Sequence, residues 1–267
     1  MATLTVQGVP LGEGRPKVVV PLTARGPADL VAAAEHLAGL DRGPDLVEWR
    51  ADHFDRLDDV AAVVAAARSI GAVLGGTPLL FTIRTAAEGG ATEIDGDHYL
   101  TVNSAVVEAG AAHLLDVELR TAEPGRRDLV SAAHARGVAV VVSSHDFEGT
   151  PDRATLLDRL RRMRDLGADL PKIAVMPRSP ADLLNLLDVT WTFRQESERP
   201  LVTMAMGATG VVSRLAGGVF GSACTFAFVG AASAPGQVPL AELHQVLDVV
   251  HGDDRTDHAE HHGAERA

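Results

Sequence analysis

Only one cysteine, Cys224, occurs in the 267 residues, so no intrachain disulfide can form and no zinc site can rest on paired thiolates. No apolar run approaches the roughly 18 residues that a membrane-spanning helix needs, although 46% of the residues are hydrophobic. The opening MATLTVQGVPLGEG has no basic segment leading into an apolar one and does not read as a secretory signal. A soluble chain resident in the cytoplasm, with no membrane partner, is the expectation. Positive charge is also scarce: 24 Lys and Arg stand against 36 Asp and Glu, a formal net charge of −12. This argues against nucleic acid as a partner, because phosphate backbones are held by clustered cations, and it leaves any anionic substrate to a local cationic pocket. Lysine is the scarcest ion of all. Only Lys17 and Lys172 occur, every other basic residue being arginine. Arginine stays protonated and cannot act as a neutral amine nucleophile, whereas a desolvated lysine can.

What is abundant is alternation. Short apolar or β-branched runs recur at Lys17–Leu22, Leu46–Arg50, Leu79–Arg84, Leu114–Leu119, Ala139–His145, Leu170–Val175, Leu201–Met206 and Phe220–Phe228, which makes eight candidate strands. Between them lie segments with Ala and Leu at i, i+3, i+4 spacing: Pro27–Leu40, Leu57–Ala72, Thr92–Ala109, Arg126–Arg136, Pro151–Leu166 and Ser179–Glu196. Strands separated by helices pair in parallel, since a parallel crossover needs the length a helix supplies. No GxGxxG follows the first strand, and a count of eight favours an α/β fold of the (β/α)8-barrel type over an open doubly wound sheet. The reading is one domain over residues 1–251, with a short N-terminal β-hairpin within the first 16 residues. The helical stretch in Gly207–Gly217 is placed just outside the barrel mouth, and residues 252–267, charged and His-rich without apolar periodicity, are read as a disordered tail.

Polar residues inside these strands carry the functional signal. Glu48, Arg50 and Asp52 alternate along strand two and its exit, and Arg84 ends strand three with Glu88 just beyond. Asp116 and Glu118 alternate on strand four, His145 closes strand five, Lys172 lies in strand six, and Met204 and Met206 alternate on strand seven. Alternate residues share a face, so these groups converge on the lumen and C-terminal mouth of a barrel, where such folds do their chemistry. Taken singly, each is more often scaffold than catalyst; the coincidence over consecutive strands reverses that balance. Lys172 sits among Leu170, Pro171, Ile173, Ala174 and Val175, a dry run that disfavours an ammonium and favours a Schiff-base amine. The plainer alternative is a lysine that merely neutralises a barrel carboxylate such as Glu48. His145, one strand away, is an imidazole able to take a proton and hand it on.

Six blocks, EWRAD (Glu48–Asp52), FTIR with EGG (Phe81–Arg84, Glu88–Gly90), SHDFEGTP (Ser144–Pro151), PKIAVMP (Pro171–Pro177), MAMGATGVVSRL (Met204–Leu215) and FGSACTFAFVGAASAPGQ (Phe220–Gln237), resemble in order and spacing the type I 3-dehydroquinate dehydratases of the shikimate pathway. The resemblance runs from about Lys17 to Leu240. It implies a (β/α)8 barrel, commonly a homodimer, that needs neither metal nor organic cofactor. It also implies that Lys172 forms an imine with the C3 ketone of 3-dehydroquinate, and that His145 removes a C2 proton and then protonates the departing C1 hydroxyl. By the same resemblance Glu88 orients His145, Arg214 binds the substrate carboxylate, and Glu48, Arg50 and Arg84 hold its hydroxyls. Ser233 and Gln237 fall in the stretch that resembles a closing loop. Ala208 stands where many members carry Lys, and the His-rich tail lies outside the family pattern.

Two rivals share part of this pattern. A class I aldolase-like lyase would keep the barrel and the lysine, but has less need of the His145–Glu88 pair with Arg214. A non-catalytic sugar-acid binding protein would keep the arginines but not a neutral lysine. A catabolic role in quinate breakdown would run the same dehydration. Metal binding by His251, His258, His261 and His262 is the weakest reading, because a solvated tail gives the ligands no fixed geometry.

Overall fold

The structure is a computed structural model that describes residues 3–230 and 232–252. An antiparallel hairpin of β1 (Leu4–Val6) and β2 (Val9–Leu11) turns through Gln7 and Gly8, both at positive φ, as a two-residue hairpin loop requires. Strands and helices then alternate: β3 (Lys17–Leu22), α1 (Pro27–Ala38), β4 (Leu46–Arg50), α2 (Val60–Leu74), β5 (Leu79–Thr82), α3 (Gly96–Glu108), β6 (Leu114–Glu118) and α4 (Arg126–Ala135). The second half follows with β7 (Ala139–Asp146), α5 (Arg153–Leu166), β8 (Leu170–Val175), α6 (Pro180–Glu196), β9 (Val202–Ala205), α7 (Gly207–Ala216), β10 (Cys224–Phe228), β11 (Val238–Pro239) and α8 (Leu240–His251). Local chemistry marks the helix starts. Asp59, Asp95 and Asp152 accept first-turn N–H groups of α2, α3 and α5, and Ser179 forms a reciprocal capping box with Asp182 ahead of α6.

All main-sheet pairings are parallel, in the order β11-β10-β3-β4-β5-β6-β7-β8-β9. The sheet curls until its ends meet, and there the ladder thins to a single bridge, Leu201 with Ser222. The eight expected strands are therefore present in a curled nine-strand sheet, β11 being an addition. The eighth was expected from Phe220, yet it begins at Cys224. Residues Gly217–Phe220 form a 3-10 turn that ends on left-handed Gly221, and the Ser222 hydroxyl, rather than a ladder partner, takes the Thr203 N–H at 3.2 Å. Strand three likewise stops at Thr82, because the Arg84 N–H turns aside to Asp52 Oδ1 at 3.2 Å.

Two further differences concern helices. The α7 segment is no appendage outside the mouth, since it packs against β9, α6 and α8 as one of the surrounding helices. Helix α8, which sequence periodicity did not single out, buries Leu240, Leu243 and Leu247 on one face. Apart from Gly252, the tail expected to be disordered lies outside the described residues, as do His258, His261 and His262.

Strand alternation sorts the core into two. Outward residues such as Trp49, Phe81, Val117, Ile173 and Val175 pack under the helices. Inward, Val19, Leu46, Leu80, Leu114, Val141, Leu170 and Val202 form an apolar floor, closed from below by Val6 and Leu11 of the hairpin. The inward positions above that floor on β4 to β9 form the candidate site.

Candidate active site

Two residues above the floor on β4 to β9 stand Glu48, Thr82, Asp116, Ser143, Lys172 and Met204, and two further on stand Arg50, Arg84, Glu118, His145 and Met206. A polar layer thus rests on a dry floor, an arrangement dictated by the period of two along a strand. The Lys172 Nζ lies 3.5 Å from Asp116 Oδ2, 3.6 Å from Glu48 Oε1 and 4.7 Å from the centre of the Phe226 ring. This corrects the picture of an amine held in a dry run: Ile173 and Val175 face the helices, so the chain neighbours of Lys172 are not the neighbours of its amine.

Arg84, buried, joins the carboxylates. Its Nη1 donates to Glu118 Oε1 and Ser143 Oγ, both at 2.9 Å, and its Nη2 lies 2.9 Å from Asp116 Oδ1. Burial opposes its charge, but Asp116, Glu118, Glu88 and Glu48 outweigh that and raise its pKa. Asp116 is likewise disfavoured by burial, yet Arg84, Lys172 and the Ser143 hydroxyl hold it below the usual carboxylate range. Arg50 places its fork on Asp52, Nε and Nη2 reaching the two carboxylate oxygens at 2.8 and 2.7 Å, and Asp52 also accepts the Arg84 and Ala91 N–H groups. The partner of this fork is Asp52, and the rest of the guanidinium faces the cavity.

Glu88 and His145 form a hydrogen-bonded pair at the mouth. Glu88 Oε2 accepts the His145 backbone N–H at 3.1 Å and faces its ring Nδ1 at 3.0 Å. Burial first, then Glu118, pushes the Glu88 carboxyl up to about 7, against the pull of Arg84 and Arg120. Burial first, then Arg84, Lys172, Arg50 and Arg120, holds His145 well below its ordinary value. A neutral imidazole whose Nδ1–H is held by Glu88 presents Nε2 as a base, and among the described residues no hydrogen bond engages Nε2.

A cavity of about 160 Å³ gathers nearly all of the residues singled out from sequence: Glu48, Arg50, Arg84, Glu88, His145, Lys172, Arg214, Ser233 and Gln237 all line it, with Phe147, Met204, Met206 and Phe226 as apolar walls. Arg214 is 2% exposed, and its polar neighbours are the Pro235 carbonyl at 3.2 Å and the Met204 Sδ at 3.6 Å. No carboxylate among the described residues pairs with it, its Nε has no partner, and burial lowers its pKa to about 10. The Gln237 side-chain carbonyl collects the Ser233 and Ala234 N–H groups at 2.8 and 3.3 Å, folding Ser233–Gln237 into a compact loop. That loop sits on the start of α7 at left-handed Gly236, where any Cβ would lie 2.5 Å from the Gly207 carbonyl oxygen. Left-handed Gly89 plays the same part opposite, a Cβ there falling 2.1 Å from the Phe147 ring.

Sequence reasoning noted Asp116 and Glu118 without giving them a role, though their i, i+2 alternation was the available signal. Ser143 and Phe226 were legible by the same alternation. Arg120, which reaches Glu88 from a loop, had no sequence signal at all.

The profile of the type I 3-dehydroquinase family matches residues 18–254. A 3-dehydroquinate dehydratase of Bacillus licheniformis is 48% identical over 92% of this chain and 96% of its own length, and that of Bacillus subtilis is 44% identical over 96% and 100%. Among solved structures, a type I 3-dehydroquinate dehydratase from Clostridium difficile with covalent modified comenic acid superposes with a TM-score of 0.90 at 40% identity, covering 94% of this chain and 99% of that one.

Proposed function

The chain belongs to the type I 3-dehydroquinase family, and from that premise we propose that it dehydrates 3-dehydroquinate to 3-dehydroshikimate, a shikimate-pathway step, through an imine on Lys172 with His145 as proton shuttle. The observation that carries this is the opening of one small, buried cavity onto a lysine amine, the free nitrogen of a neutral imidazole and an arginine with no carboxylate partner.

Arg214 takes the substrate carboxylate, and Arg50 and Glu48 take hydroxyls. The Lys172 amine adds to the C3 ketone and water leaves, giving a protonated imine. That cation restores a positive charge between Glu48 and Asp116, so the carboxylates that hold the resting lysine also stabilise the iminium. The iminium acidifies the neighbouring C–H. His145 Nε2 removes the C2 proton, the C–C double bond forms as the C1–O bond breaks, and the imidazolium returns the proton to the departing hydroxyl as water. Glu88 stabilises the imidazolium while it exists. Hydrolysis of the imine frees the enone product and the lysine. The Clostridium difficile relative was solved with covalent modified comenic acid, which is in keeping with covalent chemistry in this family.

The same reading makes residues 1–251 one unit that works as a cytoplasmic homodimer. Among the described residues no helix is long and apolar enough to cross a membrane. The deciding experiment is borohydride reduction in the presence of 3-dehydroquinate. The expected result is a substrate-derived mass on Lys172, absent from Lys17, and loss of activity in Lys172→Arg. An adduct on Lys17, or turnover without any trapped adduct, would overturn the imine.

A further inference from the structure

Arg120 lies in the β6–α4 loop with half of its side chain exposed, and it does not line the cavity. From there it grips both halves of the proton-handling pair. Its Nε is 3.4 Å from Glu88 Oε1, the oxygen that His145 leaves free, and its Nη2 donates to the His145 backbone carbonyl at 3.0 Å. The same Nη2 lies 3.6 Å from Asp146, which Arg159 of α5 pairs from the other side. One guanidinium therefore ties the carboxylate of Glu88 to the strand end that carries His145.

We propose that Arg120 is a positioning residue of the reaction, one that keeps Glu88 ionised and thereby fixes His145 in the tautomer whose Nε2 can accept a proton. The proposal rests on the function given above.

The groups facing Glu88 show why such a cation is needed. From β6 come Glu118 and Asp116, both fully buried and both repelling a further negative charge. From the end of β5 comes Arg84, 3.5 Å from Glu88 Oε2, though its nearer contacts are Glu118 and Asp116 at 2.9 Å. From β7 comes His145, which faces Lys172 of β8 and Arg50 of β4 as well as Arg84 and Arg120. Arg84 is thus shared among three carboxylates, and Arg120 is the second cation within ion-pair distance of Glu88. If Glu88 takes a proton, its O–H donates to Nδ1, the ring proton moves to Nε2, and the shuttle has no lone pair to offer the substrate.

An opposite charge within about 4–6 Å lowers a carboxyl pKa by roughly 1–3 pH units, and half-exposure places Arg120 at the lower end of that range. Arg120→Gln keeps a donor for the His145 carbonyl but removes the charge. Its acid limb in the kcat profile is expected about one pH unit higher than in wild type, with about a tenfold loss on the acid side that is regained at alkaline pH. Arg120→Lys should restore most of the shift. In the ligand-free protein, the ¹⁵N shifts of the His145 ring should report Nδ1–H in wild type and a conversion to Nε2–H beginning at higher pH in Arg120→Gln. A profile that superposes on wild type, or one depressed equally at every pH, would overturn the assignment. So would an unchanged His145 tautomer titration. Should wild type fail to turn over 3-dehydroquinate, the function would fall while the tautomer titration still decided the role of Arg120.

Discussion

Arg214→Met separates binding from stability, because a guanidinium that waits for a ligand ought to burden the protein that holds it. Burial lowers its pKa from the ordinary arginine value to about 10. At about 1.4 kcal/mol per tenfold change in proton affinity, that drop means about 3 kcal/mol spent in keeping the charge desolvated. The unfolded chain holds this proton to higher pH than the folded one, so the penalty is fully present below about pH 10 and eases only above it. Methionine has a similar length and no charge. It forfeits the bond to the Pro235 carbonyl at 3.2 Å, worth about 1 kcal/mol, and leaves that carbonyl to the loop edge. The net expectation is a gain of about 1–2 kcal/mol, read as a melting temperature a few degrees higher, at about 2–4 °C per kcal/mol. Binding should move the other way. Calorimetric titration of 3-dehydroquinate in a Lys172→Met background, where no imine can form, should show a loss of about 2–5 kcal/mol, or roughly 30-fold to 5,000-fold. A lowered melting temperature would mean that the arginine is structural, and unchanged affinity would mean that another cation holds the carboxylate.

The remaining predictions concern the shuttle and the loop. His145→Ala should still yield a borohydride-trapped imine, with turnover reduced by roughly 10²–10⁴-fold; turnover near the wild-type rate would move the shuttle to another residue. Glu88→Gln should fall between that variant and wild type, since the ring loses its ionised partner but not its reach to the substrate. Gln237→Ala frees the Ser233 and Ala234 N–H groups that fold the loop. It should raise KM more than it lowers kcat, in a steady-state assay following enone absorbance, and a larger loss in kcat would place Gln237 at the reacting atoms.

The α/β alternation, the inward face of each strand and the candidate residues were legible in the sequence, because a period of two along a strand fixes the facing of a side chain whatever the rest of the fold does. Glu48 and Arg50 on β4, Asp116 and Glu118 on β6, and Lys172 on β8 could be placed on one lumen from that rule alone. Motif order added the family. What local rules could not reach were contacts made across the lumen or through loops. The apolar run around Lys172 suggested a dry amine, yet half of that run points outward and two carboxylates from β4 and β6 face the nitrogen. The bridge between Leu201 and Ser222, the Gln237 fold of the mouth loop and the clasp of Arg120 on Glu88 and His145 belong to the same class. The bridge and the clasp join residues that only strand pairing and the curl of the sheet bring together, and the Gln237 fold, though it spans four residues, is a loop conformation that no period sets. Periodicity reports which way a side chain faces on its own element; only the closure of the sheet sets which charges then share a few ångströms, and there their mutual repulsion and burial decide which protons are held.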